Sequence, residues 1–348
     1  MTYLLLLFLF ILLYILTVEL YPVRVLRARS SHLVPYTLPD LYLYSFQIHI
    51  HTQFSYDSLG KPEDLLRSAD EEHIDYLIVT DHENDHIGHF SYKKIIAGVE
   101  RKINDPKGKI LGDLLEVGGL RVIAHPFKAK YEWKLPIPKD YFFELIDLKD
   151  ALLEKKGMLL FLLPYLLVRG FFSIDGALEV LKKALPVEKY ARRFMRTNIN
   201  NPVLGGLDHH VKVYIREVGI KILLPDYRYS FRLMRNFLLS WRRVEDKEDF
   251  LEELKEGNIV ISFDRKPTLF WEEKGLLKVL PPKECLLHCI KGEEEIHYAG
   301  TYFELEAKGK NLFIGYDYKL KLGRVFLGLK PMFIIFWTED KNGRAPTA

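Results

Sequence analysis

The chain opens on an unbroken apolar run, YLLLLFLFILLYILTV (Tyr3 to Val18), and the first acidic side chain is Glu19. A bilayer span needs about 20 apolar residues, so the run, extended to Val23, predicts one transmembrane helix. No basic residue precedes it and no A-x-A-like cleavage site follows, which favours an uncleaved anchor over a signal peptide. Arg24, Arg27 and Arg29 come directly after it, and the positive-inside bias then puts the rest of the chain in the cytoplasm. From Leu26 to Pro39 no hydrophobic period is sustained, as in a short linker.

Beyond the linker the pattern becomes regular. LYLYSFQIHIHT alternates as a strand, KPEDLLRSADEEH has the three- and four-residue steps of a helix opened by Pro62, and IDYLIVTDH is a buried strand, giving a βαβ unit. Three more short apolar runs each end in a polar, potentially reactive residue: IIAGVE (Ile95 to Glu100), LRVIAHP (Leu120 to Pro126) and PVLGGLDHH (Pro202 to His210). Strands alternating with helices imply a parallel sheet, and such sheets build their sites at strand C-terminal ends. MLLFLLPYLLV (Met158 to Val168) is too short to span and is interrupted by Pro164. It predicts a buried helix, with contact to a membrane surface as the other reading. After the amphipathic helix DKEDFLEELKEG, short alternating runs (IVISF, ECLLHCI, YFELEAK, LFIGYDY, MFIIFWT) separated by Lys-Gly turns predict a small antiparallel β unit. The expected division is an anchor at 1–23, a linker at 24–40, an α/β domain at 41–262, a β-sandwich-like domain at 263–340 and a disordered tail at 341–348.

Composition narrows this further. With 48% hydrophobic residues over 348 positions the chain can bury a large core, which excludes a disordered protein. The net charge of +3 is spread through interleaved acids and bases, so no nucleic-acid partner is expected. Cys285 and Cys289 are the only cysteines, too few for a disulfide framework or a zinc ribbon, and read as core thiols.

The histidines carry the chemistry. Eight of twelve (His49, His51, His82, His86, His89, His125, His209 and His210) sit in or just after strand-like runs, joined by Asp57, Asp81, Glu100 and Asp208. Imidazole and carboxylate together are the ligand set of Zn, Mn or Fe. His49-x-His51 alone also fits an exposed polar face, because a two-residue step puts both rings on one side of any strand. The joint order HxH, D, TDH, GVE, AHP, DxH makes the metal reading the stronger one.

Those motifs, HIHTxxSYD (His49 to Asp57), VTDH (Val79 to His82), GVE (Gly98 to Glu100), AHP (Ala124 to Pro126) and GLDHH (Gly206 to His210), resemble the PHP (polymerase and histidinol phosphatase) superfamily from about Leu41 to Pro225. The resemblance implies a distorted (β/α)7 barrel with two to three divalent ions at its C-terminal mouth and the hydrolysis of phosphoesters. The trailing β unit looks like that of the CehA/McbA-type branch. Carried over by position, His49 and His51 would hold a first metal closed by Asp208, and Glu100 would bridge to a second metal bound by His125. Asp57, His82 and His210 would hold a third. His49, His51, Glu100 and Asp208 would thus act through bound metal and water. His209 receives no role, and Asp81 is expected to orient a neighbour.

One departure stands out. The family places a further histidine between the Glu and AHP motifs, whereas KGKILGD here puts Lys109 at that place. The second metal is then held weakly, or His86 or His89 supplies the ligand, or the Lys109 ammonium replaces a cation; a site poorer in metal is expected. Lys128 and Lys130 are placed to steer phosphate or to lie solvated at the surface. Metal-bound water, His86, His89 and His209 are candidates to protonate a leaving group, and His288 and His297 read as part of a solvated turn. The expected partners are a phosphoester substrate, membrane- or envelope-related by virtue of the anchor, and membrane lipid through residues 3–23. The rival readings are a catalytically weak metal-binding scaffold and a carboxyl or carbamate ester hydrolase using the same site.

Overall fold

The computed structural model describes residues 1–31, 36–217, 220–306 and 308–339; the expected tail at 341–348 lies outside the described residues. Its organising element is one mixed sheet of fourteen strands. The strand Tyr42–Ile50 runs parallel to Tyr76–His82, which runs parallel to Ile95–Asn104. The GVE segment does not end its strand, as the polarity of Glu100 suggested. It continues to Asn104 and turns into an antiparallel hairpin with Ile110–Val117, itself paired to Leu120–Ala124. Phe142–Asp147 and Val203–Gly206 extend the sheet in parallel.

The sheet curls so that its far strand returns to the first. Leu207 N–H donates to Ile48 O at 3.1 Å, and His51 N–H donates to His209 O at 3.0 Å. Asn236 reinforces the contact: its side-chain amide exchanges two hydrogen bonds, 2.8 and 2.7 Å, with the backbone of Gly205. Inside the curl lies an apolar cluster drawn from the parallel strands and the hairpin, among them Phe46, Ile48, Ile78, Leu115, Val122 and Leu204. The helix Lys247–Glu256 closes its lower end. Asp246 caps that helix, Gly257 ends it at φ 72°, and Phe250 packs its ring on Phe46 and Tyr76. Apolar side chains therefore fill the N-terminal ends of the parallel strands and leave the C-terminal ends to polar groups.

The C-terminal segment is antiparallel, as the alternating runs predicted. Lys330–Trp337 pairs with Ile259–Ser262 and so joins the strands Asn311–Asp317, Cys285–Lys291 and Glu294–Gly300 to the same sheet. A second sheet of three short strands packs over it through Phe270, Leu277, Val279 and Phe303. His288 is not in a solvated turn: it is fully buried in a strand, with Nδ1 2.8 Å from Glu188 Oε1 and Nε2 3.1 Å from Glu295 Oε2.

Among the described residues, Thr2–Leu20 is the one helix long and apolar enough to cross a membrane. Its last turn is tied to the body. Lys183 Nζ donates to Val18 O and Glu19 O at 2.9 and 2.8 Å, capping carbonyls that a helix end leaves open. The following strand Val23–Val25 pairs with Val325–Leu327. The second apolar run forms the helix Lys156–Phe172 with Pro164 inside it, and it is not buried as first expected: Leu162 is its one buried residue.

Candidate metal centre

His49, His51 and His82 come from the C-terminal ends of the first two parallel strands, His125 follows Leu120–Ala124, Asp208 and His210 follow Val203–Gly206, and Glu100 and Asp113 project from within the hairpin strands Ile95–Asn104 and Ile110–Val117. His49 and His51 do share a side, but not by simple pleating. A register irregularity falls between Ile48 and Ile50, and His49 takes φ 62°. His125 and Asp208 also have positive φ, 28° and 44°. L side chains rarely adopt this left-handed region, and three strained positions around one cavity mark a site whose geometry the surrounding fold enforces.

Glu100 stands at the middle. Its Oε2 lies 3.3 Å from His49 Nε2, 3.2 Å from His51 Nε2 and 3.1 Å from His82 Nδ1, while Oε1 lies 3.1 Å from His125 Nε2. Asp208 Oδ1 is 3.7 Å from His51 Nε2 and 3.9 Å from His49 Nε2. Beside this group, His51, His82 and His210 form a second one, with Asp57 Oδ2 3.1 Å from His210 Nε2 and Oδ1 3.6 Å from His82 Nε2. All eight residues singled out as ligands thus converge on one mouth.

Lys109 is not among them. It sits exposed in the hairpin turn, where its backbone N–H donates to Asp105 Oδ1 at 2.8 Å. The group next to His125 and Glu100 is Asp113, whose Oδ2 is 3.6 Å from His125 Nε2. Asp113 pairs directly with Lys102, and opposite residues of an antiparallel pair share a face, so Asp113 points the same way as Glu100, two residues before Lys102. Alternation in ILGDLLEV already carried that signal. His86 and His89 lie exposed on a short turn and belong to none of the ligand groups found among the described residues.

Sequence reasoning also passed over the strand FFELID. Its Glu144, a carboxylate in an otherwise apolar run, accepts from His49 Nδ1 at 2.8 Å and from the His125 backbone N–H. A Cβ on Gly206 would come within 1.4 Å of Glu144 Oε1, so only glycine leaves room for that carboxylate. Asp147 caps the helix Leu148–Glu154 by accepting from Asp150 N–H at 2.8 Å, and with Asp150 and Asp208 it makes a further acidic group. Lys149 Nζ lies 2.8 Å from Asp208 Oδ2, and Lys128 Nζ 2.8 Å from Asp150 Oδ1, so Lys128 faces the mouth. Lys130 is exposed. Asp81 accepts from Thr52 N–H and Oγ1 at 2.6 and 2.7 Å and thereby pins the loop after His51. His209 turns outward to Ser230 Oγ, 2.7 Å from its Nδ1.

The electrostatics fit a cation. Burial drives the His51 imidazole down to about 3, against the pull of Glu100, so it is neutral. Burial raises Asp113 to about 6. Against burial, the attraction of His49 holds Glu100 well below the usual carboxylate range. The Glu144 hydrogen bond fixes His49 with Nε2 toward the centre, the arrangement by which outer groups orient metal-binding imidazoles. His49 Nε2, His51 Nε2, Glu100 Oε2, Asp113 Oδ1 and His210 Nε2 are all buried without a hydrogen-bond partner. Orphaned buried polar atoms are costly, and a divalent ion satisfies several at once.

A cavity of ≈ 400 Å³ opens beside this mouth, lined by His125, Lys128, Asp147, Leu153, Lys156 and Arg193 among others.

No protein-family model matches the chain, and no curated protein matches it. Among solved structures, it is similar to a two-domain protein from Bacteroides vulgatus containing a predicted PHP-like metal-dependent phosphoesterase. The identity is 12%, the match covers 90% of this chain and 100% of that one, and the TM-score is 0.38. The chemistry that follows is read from this chain's own side chains.

Proposed function

We propose that the chain is a membrane-anchored, metal-dependent phosphoesterase of the PHP type, with the curled sheet as its distorted (β/α)7 barrel and the antiparallel C-terminal strands as a CehA/McbA-like appendage. The observation that carries this is the convergence of orphaned ligand atoms: His49 Nε2, His51 Nε2 and Glu100 Oε2 lie within 4.8 Å of one another, buried and unpartnered. His49, His51, Glu100 and Asp208 would hold one ion, Glu100, Asp113 and His125 a second, and Asp57, His82 and His210 a third. Zn, Mn and Fe all suit these ligands. Bound divalent cations supply charge neutralisation at phosphoryl oxygens and lower the pKa of water.

The chain's own groups do the rest. Glu144 orients the His49 ring and, through the His125 backbone, the second ligand strand. Lys128 Nζ, on the cavity wall, is positioned to meet a nonbridging phosphoryl oxygen. The N-terminal helix serves as the anchor; its capping by Lys183 and its strand pairing beyond Tyr21 support a retained segment over a removed signal. Arg24, Arg27 and Arg29 favour a cytoplasmic body.

The test is metal analysis of the purified full chain followed by chelation and assay of phosphomonoesters and phosphodiesters with Mn or Zn restored. Bound metal, with hydrolysis that disappears and returns with it and is competitively inhibited by inorganic phosphate, is expected. A chain that binds no metal sinks the reading; one that binds metal and cleaves only carboxyl esters redirects it to the acyl alternative.

A further inference from the structure

The helix Lys156–Phe172 is apolar on two opposite faces. One face, with Leu159, Leu162, Tyr165 and Leu166, packs with Tyr14 and Val18 of the N-terminal helix, and Tyr14 Oη donates to Phe161 O at 2.8 Å. The other is bare: Leu160 is 71% exposed, Leu163 47%, Leu167 66% and Phe171 86%. A helix apolar all round belongs in a core or in lipid, and among the described residues no core covers this face.

The contact with the first helix fixes its depth. It meets that helix only at residues 14–19, leaving Leu4 to Leu13 bare at 40–73% exposure. About 13 residues at 1.5 Å each, roughly 20 Å of span, therefore extend beyond the crossing. The second helix thus lies at the end of the span nearest the protein body, where an interfacial helix sits. Its first residue, Lys156, and Leu153 just before it also line the cavity beside the ligand cluster. Arg193 and Lys128 lie on the same walls, among the acids Glu144, Asp147, Asp150 and Glu154. An apolar ramp and a cavity walled by both acids and bases are thereby continuous.

Resting on the hydrolase reading above, we infer that the helix Lys156–Phe172 beds in the bilayer interface and that the substrate is a membrane-resident phosphoester. Its headgroup enters the cavity past Leu153 and Lys156 while its acyl chains stay in the bilayer along Leu160, Leu163 and Leu167. The reaction is hydrolysis: the water oxygen forms the new bond to phosphorus, the bond from phosphorus to the leaving oxygen breaks, and a proton from water ends on that oxygen.

The test uses the full chain in phosphatidylcholine vesicles. Spin labels at Leu163→Cys and Leu167→Cys should be more accessible to oxygen than to a water-soluble nickel chelate, with Leu135→Cys showing the reverse. Vesicles carrying phosphatidate or phosphatidylglycerol should be hydrolysed, and Leu160→Ser/Leu163→Ser/Leu167→Ser should lower that rate by at least about tenfold while turnover of soluble nitrophenyl phosphoesters is unchanged. Water-exposed labels at 163 and 167, cleavage of soluble esters with neither lipid cleaved, or equal loss on both substrates overturns the inference alone. A wild-type chain without turnover of any phosphoester overturns the hydrolase reading instead, and the labels still report whether the helix is in lipid.

Discussion

Two clusters of histidine and carboxylate, one around the buried His288 and one at the mouth, differ in what balances them. Around His288, Glu188 is held by Arg24 with Nη2 2.6 Å from Oε2, and Glu295 by Arg192 with Nη2 2.9 Å from Oε2. Each acid there has its own arginine, and both imidazole nitrogens lie beside an acid. At the mouth, His49, His51 and His82 crowd within 3.3 Å of one oxygen of Glu100, Asp113, Glu144 and Asp147 lie beside them, and the lysines that reach the mouth meet other acids, Lys149 at Asp208 and Lys128 at Asp150. Composition does not separate a structural ion-pair network from a metal site. What separates them is that Glu188 and Glu295 are each paired with an arginine, whereas His49 Nε2, His51 Nε2 and Glu100 Oε2 are buried without a hydrogen-bond partner.

The largest effect should come from emptying the mouth. His49→Ala/His51→Ala is expected to remove bound metal and reduce hydrolysis to background with the fold intact by circular dichroism. His288→Gln should leave metal content and rate unchanged. If the two exchange behaviours, the comparison is wrong. Next, Asp113→Ala should remove one ion per chain by elemental analysis, whereas Lys109→Ala should remove none. An unchanged ion count in the first variant returns the second site to an unidentified ligand.

Glu144→Gln should lower metal affinity or activity about 10- to 100-fold, the usual cost of losing an outer group that orients a metal-binding imidazole, read as a shift in the metal titration. The smallest effect belongs to the arginine-balanced cluster. Against burial, the hydrogen bonds of His288 and Arg24 hold the Glu188 carboxyl well below its ordinary value of 4.5. A carboxyl depressed by folding contributes stability that is present above its unfolded pKa and is lost as pH falls toward the folded value. Melting temperature should therefore drop on acidification below about pH 4.5 in the wild type, and less steeply in Glu188→Gln; parallel curves would show that the network adds nothing.

Much of the candidate site was legible from the chain alone because its histidines and carboxylates come in short motifs, where local spacing already says which groups travel together. Glu144 and Asp147 were not legible, since FFELID carries no histidine and its carboxylates acquire meaning only from what faces them. Asp113 was legible in principle through strand alternation, but the hairpin that aligns it with Glu100 had first to be recognised, and attention fell on Lys109 instead.

By itself, then, the sequence determined the apolar N-terminal helix, the alternation of strands and helices, the antiparallel C-terminal strands and the set of metal-type side chains, because each is written in local periodicity or in short spacing. Tertiary structure alone decided the rest. Curling of the sheet brings residue 51 against residue 209, the bulge at His49 aims two rings at one carboxylate, and the crossing of two apolar helices leaves one of them bare beside the cavity. Each depends on long-range contacts between segments whose proximity no local pattern records.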